Sequence, residues 1–320
     1  MTGPAVTWVV GASGLLGRQV VRRLRDRRHE VVTADIPWHE PDACAGALQD
    51  GLAELVSRSD GGEWNIAWCA GAGVVASSAE LLQEEGETYS RFLRHVGDQQ
   101  DVGARGAFFL ASSAGGLYAG STDRPPFTEN SEPRPLAPYG QLKLAMEQQL
   151  GALSRATGMP ALVGRIANLY GPGQNVDKPQ GLVSHLCKAN LTGQPLSIYV
   201  PLDTLRDYLL VTDCAAMVTA GLGDVRRVAR SAADPVVVKV MASGRGTSIG
   251  ALIAESTRVF RRRPRIVLGS SPLASVQSRD LRLRSVRWPE LDCYARSTLA
   301  AGIASTARDL GRQLRSSAVT

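Results

Sequence analysis

The sequence predicts an α/β fold: a doubly wound parallel sheet with helices on both faces, and a smaller C-terminal α/β part intertwined with it. Three observations lead there. Short apolar runs alternate with stretches of helical periodicity through the first half of the chain. Those runs are apolar almost throughout, as parallel strands covered on both faces must be. A glycine-rich turn separates the first run from the first helical stretch, which is how a βαβ unit opens.

In chain order, Thr7–Val10 reads as a strand, residues 14–28 as a helix and Glu30–Ala34 as a second strand. Pro37–Gly51 reads as irregular or weakly helical. Trp64–Ala70 is a buried strand, 79–97 a helix and Ala107–Ala111 another strand. Gly120–Pro138 is rich in proline and polar residues and is expected to be loop. Tyr139–Ala156 has helical periodicity, and Ala161–Val163 is strand-like. Beyond Tyr170, helices are expected at 181–193, 213–220, 248–260 and 295–316. Strands are expected at 209–211, 235–241 and 264–268, and loop over 270–290.

With 320 residues, 44% of them apolar and 21% charged, the chain can bury a sizeable core. No apolar run reaches the roughly 18 residues that span a bilayer. The start lacks the pattern of a signal peptide, so a cytoplasmic enzyme is expected. The five cysteines are odd in number and none forms a C-x-x-C pair, so neither disulfides nor a metal site is expected. The net charge of +6 gathers at Arg22–Arg28 and Arg261–Arg265. The first cluster shares a helix with the apolar face Val20, Val21 and Leu24, so it reads as a solvated face. Few aromatics interleave with it, and no nucleic-acid or membrane partner is expected. The excess charge can still attract an anionic substrate.

Chemistry first shows at Gly11-Ala12-Ser13-Gly14-Leu15-Leu16-Gly17, between a strand and a helix. Gly11 lets the strand turn, Gly14 brings backbone close to a pyrophosphate, and Gly17 lets helix and strand approach. Ser13 and Leu15 line the same loop. The helix N-terminus adds free N–H groups and a favourable dipole for an anion. Asp35 stands 18 residues beyond Gly17, followed by Ile36, at the end of the second strand. A carboxylate there accepts hydrogen bonds from adenosine ribose hydroxyls and repels a 2′-phosphate, favouring NAD over NADP. Strand, loop, helix, strand and acid in this order predict a Rossmann-type domain.

The next pattern is Tyr139-Gly140-Gln141-Leu142-Lys143, with Tyr139 and Lys143 on one helix face. An ammonium there favours a tyrosinate, which suits proton exchange with a substrate hydroxyl. Ser112 and Ser113 lie 27 and 26 residues earlier, at the end of an expected strand. Ligands of such sheets sit at the carboxyl ends of strands, where a serine hydroxyl can polarise a substrate oxygen.

Together these landmarks resemble the extended short-chain dehydrogenase/reductases, in the NAD-dependent sugar epimerase/dehydratase family. The resemblance runs on through Cys69-Ala70-Gly71, Ser112–Tyr118, Arg165–Gly173, Arg206-Asp207-Tyr208 and Gly244–Leu252, nearly the whole chain. It implies that Tyr139 is the acid/base, assisted by Lys143 and a serine, of which Ser113 is chosen over Ser112. It implies cofactor contacts from Ala70, Gly71, Ala111 and Ile166 in addition to the glycine loop. Asn168 would lie near the sugar, and Arg206 would grip a nucleotide-sugar diphosphate. Residues 1–170 would carry NAD, and 171–320 mainly the substrate. Helices 79–97 and the Tyr139 helix would pair two copies into a homodimer.

The chain also departs from that pattern. Ala114-Gly115 stands where the dehydratases have an Asp-Glu pair, which argues against dehydration. No G-D-[LI] adenine-contact motif is found between Asp35 and Trp64. The late R-x-x-D arginine is out of register: Gln277 precedes Asp280 by three, and Arg279 or Arg282 would have to substitute. The functions that stay open are a nucleotide-sugar epimerase, a ketoreductase or dehydrogenase of a sugar or secondary metabolite, and a non-catalytic dinucleotide sensor.

Overall fold

The computed structural model describes residues 5–71, 78–176, 181–269 and 278–317. Gln277 and the Ala72-Gly73 pair lie outside the described residues. The first half builds β1 (Val6–Val10), α1 (Leu15–Asp26), β2 (Val31–Val32), α2 (Pro41–Arg58), β3 (Trp64–Trp68), α3 (Ala79–Gly97) and α4 (Val102–Arg105). It continues with β4 (Gly106–Ser113), α5 (Ala114–Tyr118), α6 (Pro138–Thr157), β5 (Ala161–Ile166) and β6 (Asn168–Tyr170). The second half adds α7 (Leu182–Thr192), β7 (Leu196–Ile198), β8 (Leu205–Leu210), α8 (Val211–Arg230), β9 (Val236–Met241) and β10 (Gly246–Ser248). It ends with α9 (Ile249–Phe260), β11 (Ile266–Leu268), β12 (Asp280–Leu281) and α10 (Leu299–Ser317).

Six parallel strands form the main sheet, in the order β2-β1-β3-β4-β5-β9. β1 and β3 are buried along their whole length, as the unbroken apolar runs require. Each face has its own core. Val20, Val21 and Leu24 of α1 meet Cys214, Met217 and Val218 of α8 on one side. Leu48, Leu52 and Leu55 of α2, Tyr89 and Phe92 of α3, and Met146 and Leu150 of α6 cover the other.

The stretch expected to be irregular or weakly helical is helix from Pro41 onward, as part of α2. Its core residues Cys44, Leu48, Leu52 and Leu55 keep a helical spacing, but alanines and glycines between them blur the pattern. Gly51 lies against the Trp8 ring and leaves no room for a Cβ. The chain thus passes from β2 through one helix to the far side of β1. Compared with the usual 3-2-1-4-5-6 order, the strand beyond β2 is missing and β9 is added at the opposite edge, so β2 is an edge strand. The missing adenine-contact motif therefore has a structural counterpart: no strand lies between Asp35 and Trp64 to carry it.

The second half returns to the main sheet with α8 and β9, then makes a small sheet centred on β8. β10 pairs β8 antiparallel; β12 and β6 pair it in parallel. α10 packs with α7 and α9 around Tyr170, Leu186, Cys187, Leu252, Ile303 and Leu310. The helix expected at 213–220 extends over the whole of α8, because Leu222, Val225 and Ala229 continue its buried face. All five cysteines are free. Burial pushes the Cys69 and Cys187 thiols up to about 12. No described helix is long and apolar enough to cross a membrane, and no described group of His, Cys, Asp and Glu could hold a metal.

Arg226 of α8 ties the two halves together. Its buried guanidinium donates to Asn65 Oδ1 at 2.8 Å, the Trp64 carbonyl at 2.7 Å and the Arg105 carbonyl at 2.8 Å. Arg226→Ala leaves three buried acceptors without a donor. The expected loss is about 2–3 kcal/mol of stability, read from the urea midpoint, with dinucleotide affinity of the folded protein unchanged.

Candidate active site

The glycine loop has the geometry a dinucleotide requires. Gly11 adopts φ +81°, and a Cβ there would come within 2.7 Å of the Ala70 backbone. A Cβ on Gly17 would collide with the Gly11 carbonyl, and one on Gly14 would lie 3.2 Å from it. The Gly14 N–H bonds the Gly11 carbonyl at 3.0 Å and closes the turn. α1 then begins with no side-chain cap and no acid in its first turn, leaving its N–H groups for an anion. Ser13 is exposed at the loop tip, and Arg18 donates to its carbonyl at 2.8 Å. Asp35 is exposed beyond β2, whereas the Ile36 side chain is buried in the core and can offer a ligand only its backbone. This cradle fits a pyrophosphate and a ribose.

Along the carboxyl edge of the sheet, Ser113 ends β4 and caps α5, accepting from the Gly116 N–H at 3.2 Å. A Cβ on Gly116 would lie 3.3 Å from the Tyr139 ring, so Ser113 and Tyr139 flank the same bare glycine. Lys143 Nζ lies 5.7 Å from the Tyr139 ring centroid. It also lies 3.0 Å from Glu85 Oε1 of α3, and a Cβ on Gly71 would come within 3.2 Å of both. Ala111 is half-buried two residues before Ser113, and Ile166 is paired with Ser113 in the sheet. Sequence reasoning missed Glu85, since nothing in its spacing ties it to Lys143.

The two serines divide cleanly. Ser112 is buried and donates to Glu147 Oε1 at 2.5 Å; Ser113 is half-exposed. Arg165 of β5 grips the same Glu147 through Nε and through Nη2, the latter at 2.8 Å, and donates to the Tyr118 hydroxyl at 2.9 Å. The Tyr118 hydroxyl donates to the Thr128 carbonyl at 2.8 Å. Burial opposes the Arg165 charge, but Glu147 and Tyr118 more than offset it and hold its pKa above the usual guanidinium value. Glu147 stands four residues after Lys143, as Lys143 stands after Tyr139, so the whole stripe was readable as one helix face.

The candidate substrate residues follow directly. Asn168 is exposed on β6 and donates to the Asp207 carbonyl at 3.0 Å. Arg206 is half-buried on β8, paired across strands with Thr247 and Leu281. Burial lowers its pKa, and Tyr208 and Asp280 partly restore it. Asp207 is fully buried, and burial raises its pKa while the Ser243 and Arg245 N–H groups pull it down. Arg279 is exposed and ion-paired with Asp203. Arg282 binds Asp280 at 2.8 Å and lies over Gly246. The structure therefore places Asn168 and Arg206 on the paired strands β6 and β8, and keeps Arg279 exposed.

Fold and site define a dinucleotide-dependent α/β enzyme with a tyrosine–lysine pair. A family model described as NAD dependent epimerase/dehydratase matches residues 7–232, and the chain belongs to that family. NAD is thus the cofactor that the cradle takes. The dTDP-L-rhamnose 4-epimerase of Burkholderia thailandensis is 31% identical over 135 residues, 41% of this chain and 35% of that protein. The aligned stretch spans about a third of the length of the curated relatives it matches. The UDP-glucose 4-epimerase of Thermotoga maritima, solved with UDP-glucose, has the same fold: TM-score 0.79, 21% identity, 97% of this chain and 99% of that one. So has MoeE5, solved with UDP-glucuronic acid and NAD: TM-score 0.78, 22% identity, 97% and 100% covered.

Two predictions come from this geometry. Glu147→Ala strands a buried guanidinium and should lower stability by about 3–5 kcal/mol, read by denaturant unfolding. Gly17→Ala should leave a folded protein, by circular dichroism, whose NAD binding is lost in calorimetric titration.

Proposed function

We propose that the chain is an NAD-dependent nucleotide-sugar epimerase working through a keto-sugar. NAD, when bound, accepts a hydride from a sugar carbon and returns it. Tyr139 takes the proton of the hydroxyl on that carbon and gives it back, while Ser113 donates a hydrogen bond to the same oxygen. Lys143 supplies positive charge beside the phenol and holds the nicotinamide ribose. Asn168 and Arg206 hold the sugar and its diphosphate, the guanidinium giving two parallel bonds. In this reading residues 1–170 carry the cofactor and 171–320 mainly the substrate, in a cytoplasmic homodimer paired through α3 and α6.

The observation that carries the reading is the meeting of Tyr139, Ser113 and Lys143 around Gly116 and Gly71, at the edge where β4 and β5 end. A sensor needs the glycine loop but not this trio. Epimerisation is favoured over dehydration because α5 has the sequence AGGLY and offers no carboxylate where an acid pair would serve.

The test is direct. Purified protein is denatured and any dinucleotide identified by mass spectrometry; the native enzyme is incubated with UDP-, GDP- and dTDP-sugars. The expected result is stoichiometric NAD and sugar interconversion without added cofactor, slowed about 100- to 10,000-fold by Tyr139→Phe. Empty protein that consumes NADH or NADPH with a ketone would replace the epimerase by a reductase. Light scattering should give a dimer mass, and a monomer would remove the proposed pairing.

A further inference from the structure

With β2 at the sheet edge, no outer strand stands beside the adenosine end of the cofactor. What stands there is Trp38, three residues after the ribose acid Asp35. Two tight turns fix it: its N–H bonds the Ile36 carbonyl at 2.9 Å, and the Glu40 N–H bonds the Pro37 carbonyl at 3.0 Å. The indole is 39% exposed, unusual for so large an apolar ring. It packs edge-on against Trp68, the last residue of β3, at 6.2 Å between ring centroids. The buried Trp68 indole N–H has no partner among the described residues.

Trp38 lines a small cleft between α2 and α3, about 70 Å³ and open to solvent. Pro41 and Phe92 are among its apolar walls, and its polar lining is Glu84, Glu87, Thr88, Arg91 and His95. An apolar slot with a polar rim suits a purine, whose flat face stacks on an aromatic ring. Adenine brings an amine donor for the Glu84 carboxylate and ring-nitrogen acceptors for Thr88 and Arg91. A ribose held on Asp35 leaves its base within reach of Trp38, since three residues span at most about 10 Å.

We infer that the adenine ring of the dinucleotide docks in the α2–α3 cleft with Trp38 as its stacking wall, replacing the contacts of the absent outer strand. The inference rests on the dinucleotide cradle and holds whichever sugar or reaction the enzyme serves.

The experiment uses full-length protein freed of dinucleotide. NAD and AMP are titrated calorimetrically, and reduced nicotinamide mononucleotide is followed by its own fluorescence. Trp38→Ala should weaken NAD and AMP alike by about tenfold or more, leaving the mononucleotide unchanged, and Trp38→Phe should restore most of the loss. AMP should quench the tryptophan fluorescence of wild type, and Trp38→Phe should remove that quenching. Unchanged AMP affinity in Trp38→Ala would overturn the inference. So would equal weakening of the nicotinamide mononucleotide, because Trp38 would then support the loop and not the base. Failure of the cradle itself would look different: wild type would bind no NAD at all.

Discussion

The site depends on one buried ion pair, Arg165 with Glu147. Both side chains are more than nine-tenths buried, and their contacts reach four elements: β5, α6, β4 through Ser112, and α5 through Tyr118. A buried pair of this kind adds little net stability over an apolar filling, because desolvation opposes its Coulomb attraction. What it does add is position. Glu147 is on the same helix face as Tyr139 and Lys143, so the pair sets the rotation of α6 against the sheet. Ser112 spends its hydroxyl on Glu147, which leaves Ser113, one residue on and pointing the other way, at the open edge. An apolar replacement could fill the space, but it would not tie α6 to β4, β5 and α5 through directed bonds.

Much of this was readable in the sequence, for a physical reason. The glycine loop, Asp35, Tyr139 and Lys143 act through local geometry: a turn, a strand end, one helix face. Local geometry leaves a spacing in the sequence, and the helix expected at 79–97 and the strand ending at Met241 show the same. The contacts that were not readable join distant segments. Glu85 meets Lys143 across 58 positions, and Arg165 meets Tyr118 across 47. No periodicity records such pairs. α2 was obscured differently, since small residues there serve close packing, as Gly51 does against Trp8, and weaken the contrast between its faces.

The substrate side is less legible because its charges are already matched. Arg279 is held by Asp203, Arg282 by Asp280 and Lys143 by Glu85. A sequence shows an arginine but not its partner, so Arg279 and Arg282 looked alike as candidate anion ligands. The structure separates them from Arg206, whose guanidinium bonds the Leu205 carbonyl and is half-buried, where a diphosphate would meet it with less water between.

The same reasoning connects the two ends of the cofactor. On α6, the pairing of Lys143 with Glu85 keeps a buried ammonium in place and limits the net positive charge beside Tyr139. At the β2 edge the sheet stops, and an acid and an indole stand three residues apart beyond it. Between them the pyrophosphate cradle is made of backbone alone, Gly11 to Gly17, with its geometry enforced by contacts that no Cβ could enter. The loop is therefore the rigid part, and variation is expected at both ends of the bound dinucleotide and not at its centre. That is where this chain departs from the family pattern: at the missing outer strand and at the glycine-rich α5 beside Tyr139.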